Sequence, residues 1–235
     1  MSEASFSGFP GRTFDFLRDL GDYNNRDWFE ANRDSYEKYY LAPALSFIEN
    51  LGPRMVAELP GDVRYEPRIN GSLFRINGDV RFSKDKRPYK DHLDMWFWQG
   101  DRKGWDTPGY FMRLTAEAWA MGAGMHHLGK AQLEAYRMAV VDARLGEELD
   151  VMAKGLGRIG YEVGSGEPRK SVPRGYDARH PRSAYLLFEG LAAMKQGPVP
   201  PEAASSGFVD FCLDQFKAAS PVNEWLSKAL ASAVK

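Results

Sequence analysis

The sequence predicts an α+β fold in one domain, with helices at both ends of the chain and a mostly antiparallel sheet between them. Three observations indicate this. Apolar residues recur at helical spacing over the first quarter of the 235 residues and again toward the C terminus. Between these regions, short apolar and aromatic runs are separated by Gly, Asn and Asp, which is typical of strands joined by turns. Because helical and strand patterns follow one another in blocks, α+β is favoured over a doubly wound βαβ arrangement.

The first quarter of the chain is predicted to be helical. Thr13 is expected to cap a first helix that ends at Gly21, and either Asn24 or Asn25 is expected to cap a second. Pro43 suits the first position of a further helix, because proline lacks the backbone N–H that this position leaves unpaired.

The middle of the chain is predicted to form the sheet. The predicted strands cover residues 73–76, 93–98, 110–114, 118–121 and 159–163. The third and fourth of these are expected to form a hairpin, with Ala116 and Glu117 near its turn.

The last part of the chain is predicted to be mainly helical. Helical spacing returns over residues 133–141 and continues through residue 152. After a turn at residues 173–175, another helix is expected to begin at Pro181 and to carry Leu191. Prolines at 198, 200 and 201 predict a stiff connector. Two closing helices follow, with Ser220 expected to cap the second.

Composition limits the possible functions. The formal net charge is -1, so affinity for nucleic acid or membranes would have to come from a local basic patch such as residues 64–92. Cys212 is the only cysteine, which excludes an internal disulfide and a cysteine-based zinc cluster. The chain has no apolar run near the ~20 residues that span a bilayer, and no signal-peptide layout at its start. We therefore expect a cytoplasmic single domain over residues 1–235, with residues 1–12 as a candidate flexible terminus.

The most concentrated chemistry lies in residues 75–92, called here the charged segment. Pro88 favours an extended backbone, and an extended chain alternates its faces, which would place Arg81, Ser83, Asp85 and Arg87 on one side. Arginine guanidinium groups on one face can form bidentate hydrogen bonds with a phosphate or carboxylate. The alternatives are a solvated edge strand guarded by lysines and an internal ion-pair network.

A second candidate is the run Pro-Arg-Gly-Tyr-Asp-Ala-Arg-His-Pro at residues 173–181. A helix that begins at Pro181 would present unpaired backbone N–H groups beside His180, and the preceding turn would supply Arg174. Together these groups would make an oxyanion receptor. In the alternative interpretation, His180 caps the backbone and Arg174 pairs with a carboxylate.

Other chemical signals are weak. Adjacent His126 and His127 on a strand would point to opposite faces, so no metal site is predicted from them. Gly122 and Gly124 are interpreted as a bulge or tight turn after a strand. The sequence has no P-loop, dinucleotide fingerprint or nucleophile elbow, and no cofactor is predicted.

Four separated motifs, in order, resemble a known family. They are FLRDLGDYNNRDWFEANRDSYE, FRINGDVRFSKDKRPYKDH, GYFMRLTAEAWAMGAGM with the following LEAYRMAV, and SVPRGYDARHP. Together they resemble the conserved family called domain of unknown function 2461. The resemblance implies a compact single-domain α+β protein and implies no reaction. Gly78, Arg87 and Leu128 depart from the residues that many relatives carry, arginine, threonine and proline respectively.

The resemblance also groups residues that are distant in sequence, and so favours a functional site over a purely structural network. The residues that match motif positions are Asn25, Arg26, Trp28, Arg75, Asp79, Arg81, Phe82, Ser83, Lys84, Asp85, Lys86, Pro88, Tyr89, Lys90, Gly122, Gly124, Arg137, Arg174, Gly175, Tyr176, His180 and Pro181.

We therefore predict binding of an anionic small molecule that bears phosphate or carboxylate. The predicted ligand-binding residues are Arg75, Arg81, Lys84, Lys86, Lys90, Arg174 and His180. If the protein is an enzyme, which the sequence leaves open, Asp85 and His180 are the candidate acid–base residues. The alternatives are a scaffold or interaction module, in which the charged segment is structural, and nucleic-acid binding, which the neutral overall charge disfavours.

Overall fold

The computed structural model describes residues 5–79, 86–101, 104 and 106–231. Within these residues the predicted α+β class is confirmed, because helices at both ends of the chain enclose a central antiparallel sheet. None of the helices in this part of the chain is long and apolar enough to cross a bilayer.

The helices form an N-terminal group and a C-terminal group. The α-helices are α1 (Gly11–Asp22), α2 (Arg26–Ala31), α3 (Arg33–Ser35), α4 (Ala42–Glu58), α5 (Lys130–Val141), α6 (Ala143–Arg158), α7 (Gly207–Ala219) and α8 (Pro221–Leu230). A π-helical segment, Tyr36–Leu41, joins α3 to α4, and two 3₁₀-helices cover Ser183–Leu187 and Pro201–Ala204.

The described sheet has six strands, all paired antiparallel, in the order β1, β2, β3, β4, β6, β5. The strands are β1 (Val63–Arg64), β2 (Leu93–Gln99), β3 (Gly109–Leu114), β4 (Ala118–Met125), β5 (Glu162–Gly164) and β6 (Leu191–Pro198). The predicted hairpin of β3 and β4 is confirmed, with Thr115 and Ala118 closing its turn.

The sheet has two different faces. On β2, the alternate residues Leu93, Met95 and Phe97 belong to the hydrophobic core, and Phe97 packs edge-on against Phe216 of α7. Asp94, Trp96 and Trp98 therefore project from the opposite face, which we call the far face. The register places Arg113 of β3 directly beside Asp94.

A short ladder extends this arrangement beyond β2. The Trp96 N–H donates to the Ser72 carbonyl, and the Lys90 N–H donates to the Ile76 carbonyl. The Gly78 N–H donates to the Pro88 carbonyl at 2.8 Å. The predicted strand at 73–76 is thus an extended segment held by these bonds and by isolated bridges, and it runs antiparallel to the chain that leads into β2.

Three side chains make hydrogen bonds that secure the N-terminal helices. Thr13 was expected to be a cap, but α1 begins at Gly11, and the buried Thr13 hydroxyl donates to the Tyr39 carbonyl. Asn25 caps α2 by accepting from the Trp28 N–H. Asn24 instead clamps the backbone of Tyr89: its Nδ2 donates to the carbonyl at 2.9 Å, and its Oδ1 accepts from the N–H at 3.0 Å.

Three predictions for the C-terminal half are wrong. The helix expected from Pro181 is a short 3₁₀-helix at Ser183–Leu187, and the residues after it form β6, which ends at Pro198 within the predicted connector. The long helix through residue 152 breaks at Asp142, whose side chain caps α6. Ser220 lies at the start of α8, but its hydroxyl donates to the Lys217 carbonyl and does not cap.

Gly109 provides a test of packing on the far face. A Cβ built at this position would lie 2.4 Å from the Trp96 indole and 2.5 Å from the Phe97 carbonyl oxygen. We expect Gly109→Ala to lower the free energy of unfolding by about 1–3 kcal/mol in urea denaturation, because neither neighbour can move freely. Gly155→Ala is the matched control: it lies in α6 with nothing within 4 Å, and we expect a gain of roughly 0.5–1 kcal/mol. Equal effects of the two substitutions would contradict the packing argument.

Candidate functional site

A cavity of about 540 Å³ opens on the far face beside β2. Its described walls combine aromatic rings, two cations, one amide and two glycines. These residues are Asn70, Gly71, Phe74, Arg75, Lys90, Trp96 and Gly104.

A tight turn builds one wall of the cavity. Asn70 has φ 59°, the one positive φ outside glycine in the described residues. Gly71 follows it, and a Cβ there would lie 2.6 Å from the Glu66 carbonyl oxygen, so a larger residue does not fit. The Ser72 N–H donates to the same Glu66 carbonyl at 2.7 Å, which closes the turn before the chain pairs with β2.

The two cations of the cavity have no carboxylate partner among the described residues. Lys90 is half-buried, and its Nζ lies 5.1 Å from the centroid of the Phe74 ring. Burial lowers the pKa of Lys90, the nearby charges of Arg113 and Arg75 lower it further, and Asp94 opposes them. Arg75 is exposed, and its guanidinium makes no hydrogen bond or ion pair with the described chain.

Asp94, the carboxylate whose charge acts on Lys90, forms hydrogen bonds with other side chains. Arg113 donates two hydrogen bonds to the Asp94 carboxylate, from Nε to Oδ1 at 2.7 Å and from Nη2 to Oδ2 at 2.9 Å. His92 Nε2 lies 3.3 Å from Asp94 Oδ2. Burial opposes ionisation of Asp94, but the hydrogen bonds from His92 and Arg113 outweigh it, so the Asp94 pKa lies below its usual value.

The same network continues into the charged segment. His92 Nδ1 lies 3.0 Å from Asp91 Oδ1, and Arg87 Nη1 donates to Asp91 Oδ2 at 2.7 Å. Side-chain contacts therefore run without a break from Arg87 through Asp91, His92 and Asp94 to Arg113. This part of the charged segment is an ion-pair network, as the structural alternative expected.

The structure brings two of the predicted ligand residues together. Arg75 and Lys90 both line the cavity, whereas Lys86 is exposed and lies outside the cavity walls. Arg81, Lys84 and Asp85 lie outside the described residues.

The second predicted element is built differently from the expectation. With no α-helix at Pro181, the oxyanion receptor at a helix N terminus is not formed. His180 Nδ1 instead accepts from the Arg182 N–H at 3.1 Å, and the Arg182 side chain donates to the Val140 and Asp142 carbonyls at the end of α5. Neither His180 nor the exposed Arg174 lines the described cavity, and their ligand-binding role stays a prediction.

Two other sequence signals have structural explanations. Gly122 and Gly124 were expected after a strand, but both lie inside β4, where a Cβ would meet the backbone of β6 at 2.0 and 2.3 Å respectively. His126 lies beside Ser165, whose hydroxyl donates to the His126 carbonyl at 2.6 Å. The described residues contain no group of His, Cys, Asp and Glu side chains arranged to hold a metal ion.

Sequence reasoning missed several residues of the site. Asn70 and Gly71 form an Asn-Gly pair, a turn signal that was available but carried no functional meaning alone. Trp96 and Gly104 reach the cavity only through the register of β2 and the loop after it, where the Trp96 indole donates to the Gly104 carbonyl. Arg137, which matches a motif position, lies outside the cavity walls, and its buried Nε and Nη2 have no hydrogen-bond partner in the part of the chain that the structure describes.

The buried carboxylate of Asp94 predicts that the free energy of unfolding decreases at acid pH. The pKa of Asp94 is lower in the folded protein than its usual value. Ionised Asp94 therefore adds to the free energy of unfolding above the ordinary carboxyl pKa, and this stabilisation is lost as the pH falls through the pKa of the folded state. We expect Asp94→Asn to lower the free energy of unfolding at pH 7 by about 3 kcal/mol, because Arg113 and His92 lose a buried partner. The difference in free energy of unfolding between Asp94→Asn and the parent protein should become smaller as the pH falls below about 4. Urea denaturation at several pH values measures this difference.

Asp101→Asn is the matched control for this substitution. The Asp101 side chain is 93% exposed and, within the described residues, pairs with the half-exposed Arg64, so we expect a change below about 0.5 kcal/mol. A loss at Asp94→Asn that is equally large at pH 3 and pH 7 would contradict the role of the ionised carboxylate.

Comparison with known proteins agrees with the resemblance in sequence. No curated protein matches the chain. A family model described as a conserved hypothetical protein, DUF2461, matches residues 12–225, which include the cavity walls and the whole of the described sheet. The chain therefore belongs to the conserved hypothetical family of domain of unknown function 2461.

Proposed function

We propose that the protein binds a small anionic ligand, bearing phosphate or carboxylate, in the cavity beside β2. The observation that carries this proposal is the pair Arg75 and Lys90, two cations on one cavity wall without a carboxylate partner in the described chain.

Because Lys90 is half-buried, the absence of a carboxylate partner among the described residues has an energetic cost. An exposed lysine is stabilised by water, but a half-buried ammonium loses part of that solvation. The Phe74 ring offsets only a small part of this cost, about 0.5–1 kcal/mol for a cation–π contact. Such an arrangement is costly for the empty protein and becomes favourable when an anion binds between the two cations.

The other walls favour a ligand with a flat part. A volume of about 540 Å³ suits a small molecule. Phe74 and Trp96 both line the cavity and give it an aromatic wall.

A structural role is supported for a different part of the charged segment. The side chains from Arg87 to Arg113 contact one another in turn and join the segment to the sheet. We infer that this network holds the backbone in place, while Arg75 and Lys90 contact the ligand. The scaffold alternative thus applies to the paired residues and does not explain Arg75 and Lys90, which pair with no carboxylate that the structure describes.

Anion titrations of three variants test the proposal. Inorganic phosphate and a panel of phosphorylated and carboxylated metabolites are titrated by calorimetry and thermal shift against the parent protein, Arg75→Gln, Lys90→Met and Arg144→Gln. We expect Arg75→Gln and Lys90→Met each to weaken binding of the best ligand by at least roughly tenfold, because each removes a charge-assisted bond. Arg144→Gln removes the same charge from the exposed surface of α6 and should leave the affinity within about twofold.

The same variants separate binding from stability. Because Lys90→Met removes a half-buried charge and keeps the side-chain length, we expect its free energy of unfolding to stay within about 1 kcal/mol of the parent value. Large destabilisation by Lys90→Met, with no panel anion bound by the parent protein, would contradict the proposal and would assign Lys90 a structural role.

A further inference from the structure

We propose that Lys90 is a nucleophilic amine, which forms an imine with an aldehyde or ketone whose own phosphate or carboxylate is bound by Arg75. This inference rests on the proposed function, since it adds a covalent step to the same anion site. It names the class of substrate: a carbonyl compound that also carries an anionic group.

The first argument is the position of the amine. Lys90 lies on the cavity wall, and its Nζ sits over the Phe74 ring. Its backbone is fixed on both sides, because its own N–H donates to the Ile76 carbonyl at 2.8 Å and the preceding Tyr89 is clamped by Asn24. A nucleophile on a rigid backbone, with its reactive atom in a cavity, is held in place for attack on a bound molecule.

The second argument concerns the charges around the amine. An ammonium cannot attack a carbonyl group, so the neutral amine must be accessible near neutral pH. Burial and the positive charges of Arg113 and Arg75 disfavour the ammonium form, and among the described residues Asp94 favours it. Both oxygens of Asp94 already accept bonds from Arg113, and His92 lies beside one of them. A desolvated lysine next to other cations is a known way to activate an amine as a nucleophile.

The reaction balances without any oxidant or cofactor. The Nζ lone pair attacks the carbonyl carbon, and the carbonyl π pair moves to oxygen, which takes up a proton and gives a carbinolamine. Loss of water, which carries away the carbonyl oxygen and two protons, forms the C=N bond. The sum is amine plus carbonyl compound giving imine plus water, and hydrolysis reverses it. Arg75 holds the anionic group during both steps, and Phe74 and Trp96 flank the carbon skeleton.

Pyridoxal 5′-phosphate is a suitable probe, because it joins an aldehyde, a flat ring and a phosphate in one small molecule. The full chain is incubated with the probe near neutral pH and reduced with borohydride, and the modified lysines are identified by peptide mass spectrometry. Pyridoxal, which lacks the phosphate, is the matched ligand control. The exposed lysines of the same digest, such as Lys154 and Lys228, are internal controls.

We expect Lys90 to be modified at least tenfold faster than the exposed lysines, and Lys90→Arg to lose the imine absorbance. Arg75→Gln should slow modification by the phosphate-bearing probe about tenfold more than modification by pyridoxal, because both probes lose the effect of the Arg75 charge on the amine and only the first also loses its phosphate contact. Near neutral pH the rate of Lys90 modification should exceed that of the exposed lysines, because burial and the neighbouring cations favour its neutral amine.

The outcomes separate this inference from the proposed function. If the probe binds with dependence on Arg75 but Lys90 stays unmodified, the imine is wrong and the anion site stands. If modification spreads evenly over exposed lysines and no anion of the panel binds, both proposals are wrong. If Lys90 reacts equally fast with both probes in the parent and in Arg75→Gln, the nucleophile is correct and Arg75 does not hold the anionic group.

Discussion

The buried carboxylate of Asp94 is the constraint on which the far face of the sheet depends. Asp94 lies inside a strand that is buried along its whole length, so its charge must be compensated within the protein. The antiparallel register meets this need by placing Arg113 directly opposite, where its fork binds both oxygens. His92 adds a third contact and connects Asp94 to Asp91 and so to Arg87. The charged segment is thereby joined to the sheet by electrostatics as well as by backbone hydrogen bonds.

This compensation has an effect on the cavity. Because Arg113 and His92 occupy the Asp94 oxygens, Lys90 lies near a carboxylate that it does not pair with. A structural network and a cation with no carboxylate partner in the described part of the chain therefore occur side by side, and the first explains the second. The two interpretations of the charged segment, ion-pair network and anion site, apply to different residues within it and do not exclude each other.

The sequence was sufficient for the fold class and for most elements with a strong period. Leu93–Gln99 and the hairpin after it carry dense aromatic and apolar runs, and their local preference agrees with the sheet. Strand β6 was missed because its Ala, Gly and Pro residues give little β signal, and pairing with β4 over eight positions decides its conformation. At the site, composition indicated Arg75 and Lys90. Trp96, Gly104 and the partner of Asp94 depend on register, which composition does not contain.

The Asn24 clamp on Tyr89 has a consequence for how this sequence can change. The side-chain amide pairs with both backbone groups of one residue, and so acts as a single-residue surrogate for a neighbouring strand. Every residue except proline carries the same two groups, so exchanges at position 89 leave this contact intact. No other side chain except a differently spaced glutamine offers the same donor and acceptor. The contact therefore depends on the residue at position 24 and not on the side chain at position 89. If Asn24 is substituted, no exchange at position 89 can restore the contact.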